Sequence, residues 1–141
     1  MKNYTYETAH EEIDYIFKTL LPQRGMAERP EQLRLCHSIL DAMLDGSIAL
    51  CDAGTGIGKT FAYLTAGILH GKCRAAEGKP QRPILISTSS IALQSAIQKE
   101  YLPLLSGVLL SEGLISAPIE AVIRKGKAHY ACDARLERRV R

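Results

Sequence analysis

Ile48-Ala49-Leu50-Cys51-Asp52-Ala53-Gly54-Thr55-Gly56-Ile57-Gly58-Lys59-Thr60-Phe61-Ala62-Tyr63-Leu64 is the stretch on which the fold reading turns. Its first four residues are a short, wholly apolar run, the pattern of a strand buried on both faces of a parallel sheet. A glycine-rich loop follows. From Thr60 to His70 the apolar positions Phe61, Leu64, Ile68 and Leu69 then line one helical face.

The loop between them, Ala53–Thr60, is built for phosphate. Backbone N–H groups can surround an anion only where side chains stay out of the way, which is the use of Gly54, Gly56 and Gly58 between Thr55 and Ile57. The helix that follows turns its N-terminal N–H groups and positive dipole end to the same place. Lys59 adds a mobile positive charge for the β- and γ-phosphates, and the Thr60 hydroxyl is placed to ligate Mg²⁺. Ala53 stands where the strict pattern has glycine, so the match is to the relaxed form. A glycine-rich turn with an incidental lysine is the plainer alternative. The flanking strand and helix are the context that favours nucleotide binding over it.

Working outward, the apolar residues Ala9, Ile13, Ile16, Phe17 and Leu20 fall at helical spacing, and Pro22 and Gly25 break that helix. A second helix is expected from Pro30 to Asp45, with the stripe Leu33, Cys36, Leu40, Met43 and Leu44 and a stop at Gly46. Beyond the loop, residues 71–82 read as a surface connection, Ile84–Ile86 as a second strand, Ile91–Tyr101 as a helix and Ile119–Ile123 as a third strand. Strands alternating with helices imply an α/β domain with a parallel sheet flanked by helices, preceded by a helical segment over residues 1–28.

The bulk properties set limits. The chain has 141 residues, enough for one modest domain, with 46% hydrophobic and 23% charged residues, the profile of a folded globular protein. Its formal charge of +3 is unevenly distributed. Arg124, Lys125, Lys127, Arg135, Arg138, Arg139 and Arg141 face only Asp133 and Glu137 in the last eighteen residues. Such a stretch suits phosphates, although a solvated helix face gives the same pattern. Four dispersed cysteines without a C-x-x-C pair fit a reducing cytoplasm better than a disulfide framework. Glu7, Glu11 and Glu12 occupy the place of a signal-peptide core, and no run of 18 apolar residues exists, so neither secretion nor a membrane is expected.

Other residues have a functional reading and a plain one. Gln32, with Arg29 beside it, presents an amide whose donor and acceptor match adenine, yet a glutamine at a helix start is commonly just solvated. Thr88, Ser90 and Gln94 at a strand end and helix start suit a nucleic-acid backbone, and Ser90 equally suits an N-cap. Tyr130 and Cys132 in Lys125-Gly126-Lys127-Ala128-His129-Tyr130-Ala131-Cys132 are a stacking surface and a metal ligand, or simply packing residues.

In order, Arg29–Gln32, Asp52–Leu64, Ile86-Ser87-Thr88 with Leu93-Gln94, and Lys125–Cys132 resemble the start of DinG/XPD-like superfamily 2 DNA helicases, from about Pro22 to Leu136. The resemblance implies that residues 29–141 form an incomplete RecA-like first motor domain. In it Arg29 and Gln32 read adenine, Ala53–Thr60 hold ATP and Mg²⁺, and Thr88, Ser90 and Gln94 touch single-stranded DNA. It further implies 5′ to 3′ translocation in the intact enzyme, and a 4Fe–4S region entered at about 124–141 with Cys132 as its first ligand. The cluster is expected only in a longer protein, because the three further cysteines are absent. No apolar run ending in Asp-Glu follows Thr60, so the Walker B acids that anchor Mg²⁺ and activate water are missing, as is the second motor domain. The 141 residues alone are therefore expected to bind nucleotide without appreciable hydrolysis, the remainder of the helicase being required for activity. The rival reading is a non-catalytic nucleotide- or nucleic-acid-binding module or truncated helicase relic. A small P-loop kinase is weaker, since such an enzyme needs acidic metal and substrate residues downstream and a basic tail does not supply them.

Overall fold

The computed structural model describes residues 4–130 and 133–140. Among these the regular structure is entirely helical. Helix α1 (Tyr6–Tyr15) is capped by Thr5, whose hydroxyl accepts from the Thr8 N–H at 3.2 Å. It runs on through a widened π-helical stretch, Ile16–Leu20, into a closing turn, Leu21–Gln23. Helix α2 is Pro30–Asp45 and α3 is Lys59–Ala76. Helix α4 (Ile91–Ala96) passes through a second π-helical stretch, Ile97–Tyr101, into α5 (Leu102–Ser111). A 3₁₀ turn at Lys127–His129 and helix α6 (Asp133–Val140) complete the elements.

Both π-helical stretches precede a Leu-Pro pair, and the sequence explains them. Pro22 and Pro103 lack an N–H, and each ring would crowd the carbonyl four residues back in a regular helix. The turn before each proline widens instead: Leu21 N–H bonds to Ile16 O, and Leu102 N–H to Ile97 O, five residues back. The helices therefore continue through these prolines. Gly25, at φ +83°, follows the end of the first helix.

One core joins the helices. Ala9, Ile13, Ile16, Phe17 and Leu20 meet Cys36 and Leu40 of α2 and Ala62, Leu64, Ala66 and Leu69 of α3, with Leu105, Val108 and Leu109 of α5 in the same cluster. The Phe61 and Tyr101 rings pack edge to face at 5.2 Å. At the margin, the Lys72 ammonium donates to both Glu12 carboxylate oxygens at 2.6 Å and sits 4.4 Å above the Tyr4 ring. Tyr4 donates its hydroxyl to Glu12 at 2.7 Å, and burial followed by that carboxylate pushes the phenol pKa up.

The expected parallel sheet does not form among the described residues. The three runs read as strands, 48–51, 84–86 and 119–123, take no regular secondary structure. Ile48, Leu50, Leu85 and Val122 are exposed by 93%, 97%, 92% and 79%. Apolar content alone does not make a strand: each run needs neighbouring backbone N–H and C=O groups to form a ladder, and no ladder forms among the described residues. They are held to the helices at isolated points. Ile84 lies against α3 where Gly67 offers no side chain, a Cβ there falling 2.7 Å from Ile84 Cδ1. The Ile119 N–H donates to the buried Ser106 hydroxyl at 3.0 Å. The α/β reading is corrected to a helical assembly.

Candidate functional site

The glycine-rich loop stands at the head of α3, as its sequence requires. Gly56 and Gly58 take φ +81° and +82°, a left-handed backbone that side chains resist, and they bend the chain into the first helical turn. Gly58 is the N-cap residue and supplies no side-chain acceptor, so the first N–H groups of an 18-residue helix have no side-chain cap. That is the electrostatic condition for an anion. The Lys59 ammonium folds back over the loop and donates to the carbonyls of Ala53 at 2.7 Å and Gly54 at 2.9 Å. Thr60 follows it, partly exposed. Beside the loop a cavity of about 390 Å³ opens between Glu31, Arg34, Leu35 and Ser38 of α2 and the run Leu50–Gly54 with Ile57.

Gln32 is brought to the same place. It is only 6% exposed, and its amide nitrogen donates to the Gly58 carbonyl at 2.7 Å. A Cβ on Gly58 would fall 2.0 Å from that nitrogen and 3.5 Å from an Arg29 guanidinium nitrogen. Arg29, Gln32 and the loop thus form one cluster. In it the Gln32 donor is spent on the loop's backbone, bracing it against α2, and is not turned outward. This bracing is invisible in the sequence, since nothing local to residues 29–32 records a partner 26 positions away.

The second group of residues is occupied with local structure. Ser90 caps α4, its hydroxyl accepting from the Leu93 N–H at 3.1 Å, while Thr88 Oγ1 accepts from the Ser90 N–H at 3.1 Å. Gln94 donates to the Thr88 carbonyl at 3.2 Å, and its own Oε1 is buried without a partner. The three residues therefore form one knot at the start of α4.

Near the C-terminus, Arg124, Lys125, Lys127, Arg138 and Arg139 are exposed. Tyr130 closes residues 125–130 into a loop, its hydroxyl accepting from the Lys125 N–H at 3.2 Å. Cys132 lies outside the described residues. Cys36 and Cys73 are buried in the core on α2 and α3, and Cys51 is exposed beside the glycine loop. Burial pushes the Cys36 thiol up, away from the thiolate a metal needs. Among the described residues no three His, Cys, Asp or Glu side chains converge on a metal position. These cysteines do not fit an iron–sulfur cluster, which takes four gathered thiolates. No described helix is long and apolar enough to cross a membrane.

Comparison with known proteins places most of the chain. It is 34% identical over 113 residues to the 3′-5′ exonuclease DinG of Bacillus subtilis, matching 80% of this chain and 11% of that protein. It is 33% identical over 114 residues to the ATP-dependent DNA helicase YoaA of Haemophilus influenzae, covering 81% of this chain and 15% of the relative. The YoaA helicase of Escherichia coli is 30% identical over 113 residues, 80% of this chain and 15% of its own length. The chain thus spans between a tenth and a sixth of these relatives. No family model matches it, and no solved structure does.

Proposed function

The matched residues belong with the DinG and YoaA helicases, and on that premise we propose that Ala53–Thr60 holds the phosphates of ATP as the nucleotide-binding segment of a DNA helicase. The observation that carries the reading is Lys59. Its ammonium lies over the loop, at the head of a long helix whose first turn has no side-chain cap. A lysine held by neutral carbonyls is a charge available to a phosphate, which is the better acceptor. Gly54, Thr55, Gly56, Ile57 and Gly58 supply backbone N–H groups around the anion. Thr60 supplies the hydroxyl for Mg²⁺, which offsets phosphate charge when bound. Arg29 and Gln32 sit on the adjoining side of the loop. For Gln32 to read adenine, its amide must leave Gly58.

Single-stranded DNA is the partner we assign to the knot of Thr88, Ser90 and Gln94 and to the exposed basic residues between Arg124 and Arg139. In the longer helicase this binding would respond to the nucleotide. This chain carries no acidic pair downstream of the loop to position water, so we expect it to bind ATP with negligible turnover.

Titration calorimetry with Mg²⁺–ATP tests the assignment. Saturable binding is expected for the chain as it stands. Lys59→Ala removes a charge-assisted bond worth about 1.5–3 kcal/mol, which weakens binding by roughly 10- to 150-fold. Equal affinity in the two proteins would reject the site.

A further inference from the structure

The phosphate loop and the knot of Thr88, Ser90 and Gln94 belong to different helices, and an aromatic contact joins those helices close to the loop. Phe61 stands in the first turn of α3, next to Thr60, and is buried. Its ring meets the partly buried Tyr101 ring edge to face, with centroids 5.2 Å apart and planes at 85°. Tyr101 lies on the same unbroken helical run as the knot. That run starts at Ser90, the N-cap of α4, passes through the π-helical turn Ile97–Tyr101 and ends at Ser111. At about 1.5 Å per residue, Ser90 is roughly 15 Å along the axis from Tyr101. Leu93 and Ile97 hold the intervening turns to the core.

The π-helical turn gives this run a place to bend. Leu102 N–H reaches Ile97 O, five residues back, and the Pro103 ring keeps the turn from tightening into a regular helix. Tyr101 is the last residue of the turn, so the ring that touches Phe61 sits at the hinge between α4 and α5. Both ligands act on this pair. A phosphate at the loop draws Lys59 off the Ala53 and Gly54 carbonyls and engages the first-turn N–H groups of α3, the turn that carries Phe61. A nucleic-acid phosphate at the knot competes for the Thr88 and Ser90 hydroxyls and so pulls on the run that carries Tyr101. An edge-to-face pair has a preferred geometry, and shifting either ring disturbs it. That cost is met once. The ligand that arrives second finds the pair already shifted and binds more tightly for it.

Resting on the assignment of ATP to the loop and single-stranded DNA to the knot, we propose that the Phe61–Tyr101 pair couples the two sites. Tyr101 is a positioning residue through which each ligand tightens the binding of the other. A second link between this segment and α3 is of another kind. Ile84 rests in the notch at Gly67, further down α3, and reaches Thr88 only through residues 85–87, which take no regular structure and leave Leu85 exposed. Such a tether holds the segment in place without passing on a shift.

Fluorescence titration of the whole chain with labelled oligothymidylate, with and without saturating Mg²⁺–ATP, measures the coupling. Calorimetry with Mg²⁺–ATP, with and without the oligonucleotide, measures it in the other direction. In the parent both give the same factor, about fivefold, inside the roughly two- to twelvefold that one edge-to-face pair carries. Tyr101→Leu is expected to abolish the factor while each ligand alone binds within about twofold of the parent. Tyr101→Phe keeps the ring edge and should keep the coupling, as should Ile84→Ala. Should Tyr101→Leu fold poorly, amide exchange of the parent gives a second reading: added oligonucleotide changes protection over Phe61–Leu64 if the pair transmits, and leaves it unchanged if not. A parent without coupling, a factor that survives Tyr101→Leu, or a loss equally produced by Ile84→Ala overturns the proposal and leaves both site assignments standing. Failure of one ligand to bind on its own instead strikes the assignment of that site, and the coupling falls with it.

Discussion

Gly58→Ala is the substitution with the most structure behind it. At φ +82° the new residue stands in the left-handed region, which costs roughly 1–2 kcal/mol for a side chain with a Cβ. Its Cβ also falls 2.0 Å from Gln32 Nε2 and 2.9 Å from Gln32 Cδ, far inside contact distance. Gln32 is buried and bound to the Gly58 carbonyl, so it cannot swing aside without giving up that bond, worth about 1 kcal/mol, and stranding its amide. Together these predict a loss of about 2–3 kcal/mol in unfolding free energy. Gly56→Ala is the control: it has φ +81° and nothing within 4 Å of its Cβ, so it carries the backbone strain alone. Urea denaturation of both variants should place Gly58→Ala about 1 kcal/mol or more below Gly56→Ala. Adding Gln32→Ala to Gly58→Ala should then cost less than Gln32→Ala costs the parent, because the clash has already displaced the amide. If the two glycine variants lose the same stability, Gln32 does not brace the loop and the account of the site's architecture is wrong.

Two further predictions concern α4 and α3. Ser90→Ala removes the only side-chain cap of α4 and should cost about 1 kcal/mol, with faster amide exchange over Ile91–Ala96. Ser90→Thr should keep most of it, and an alanine variant as stable as the parent would show that the cap contributes nothing. His70 has its pKa lowered, first by burial and then by the Arg74 charge, with Glu77 opposing and Lys79 adding. The unfolded chain therefore takes up this proton at a higher pH than the folded one. Stability should fall as pH drops through the unfolded value, about 6.5, and level off below the lower folded value. His70→Gln should remove that part of the acid loss between pH 7.5 and 5.5 in urea midpoints, and an unchanged loss would exclude His70 as its source.

What the sequence disclosed depended on how local each feature is. The glycine loop, its lysine and the helix behind it were legible because their geometry is set within a dozen residues. Positive φ at Gly56 and Gly58 and an uncapped helix start follow from the glycines themselves. The helix over 30–45 was equally readable from Pro30, its apolar stripe and Gly46, which takes φ +65° as a C-terminal stop. Pro22 and Gly25 read as breakers, and the first helix does end between them, at Gln23. Pro103 gives no sign of a helix running through it, yet widening one turn lets the helix continue to Ser111.

The strands show the opposite limit. A helix satisfies its own backbone, so a stripe of apolar side chains is nearly sufficient evidence for it. A strand leaves every N–H and C=O to a neighbour, and no property of Ile48-Ala49-Leu50-Cys51 reports whether one is there. Its residues stand open to solvent, as do Leu85 and Val122, while the helices share one buried core. Gln32 was hidden for the same reason. Its partner lies 26 positions away, and only the placing of α2 beside the head of α3 brings the two together. The glycine loop is thus a local device legible on its own, whereas its brace by Gln32 is a product of helix packing. A change in α2 that leaves the loop's own sequence untouched can therefore still alter how the loop is held.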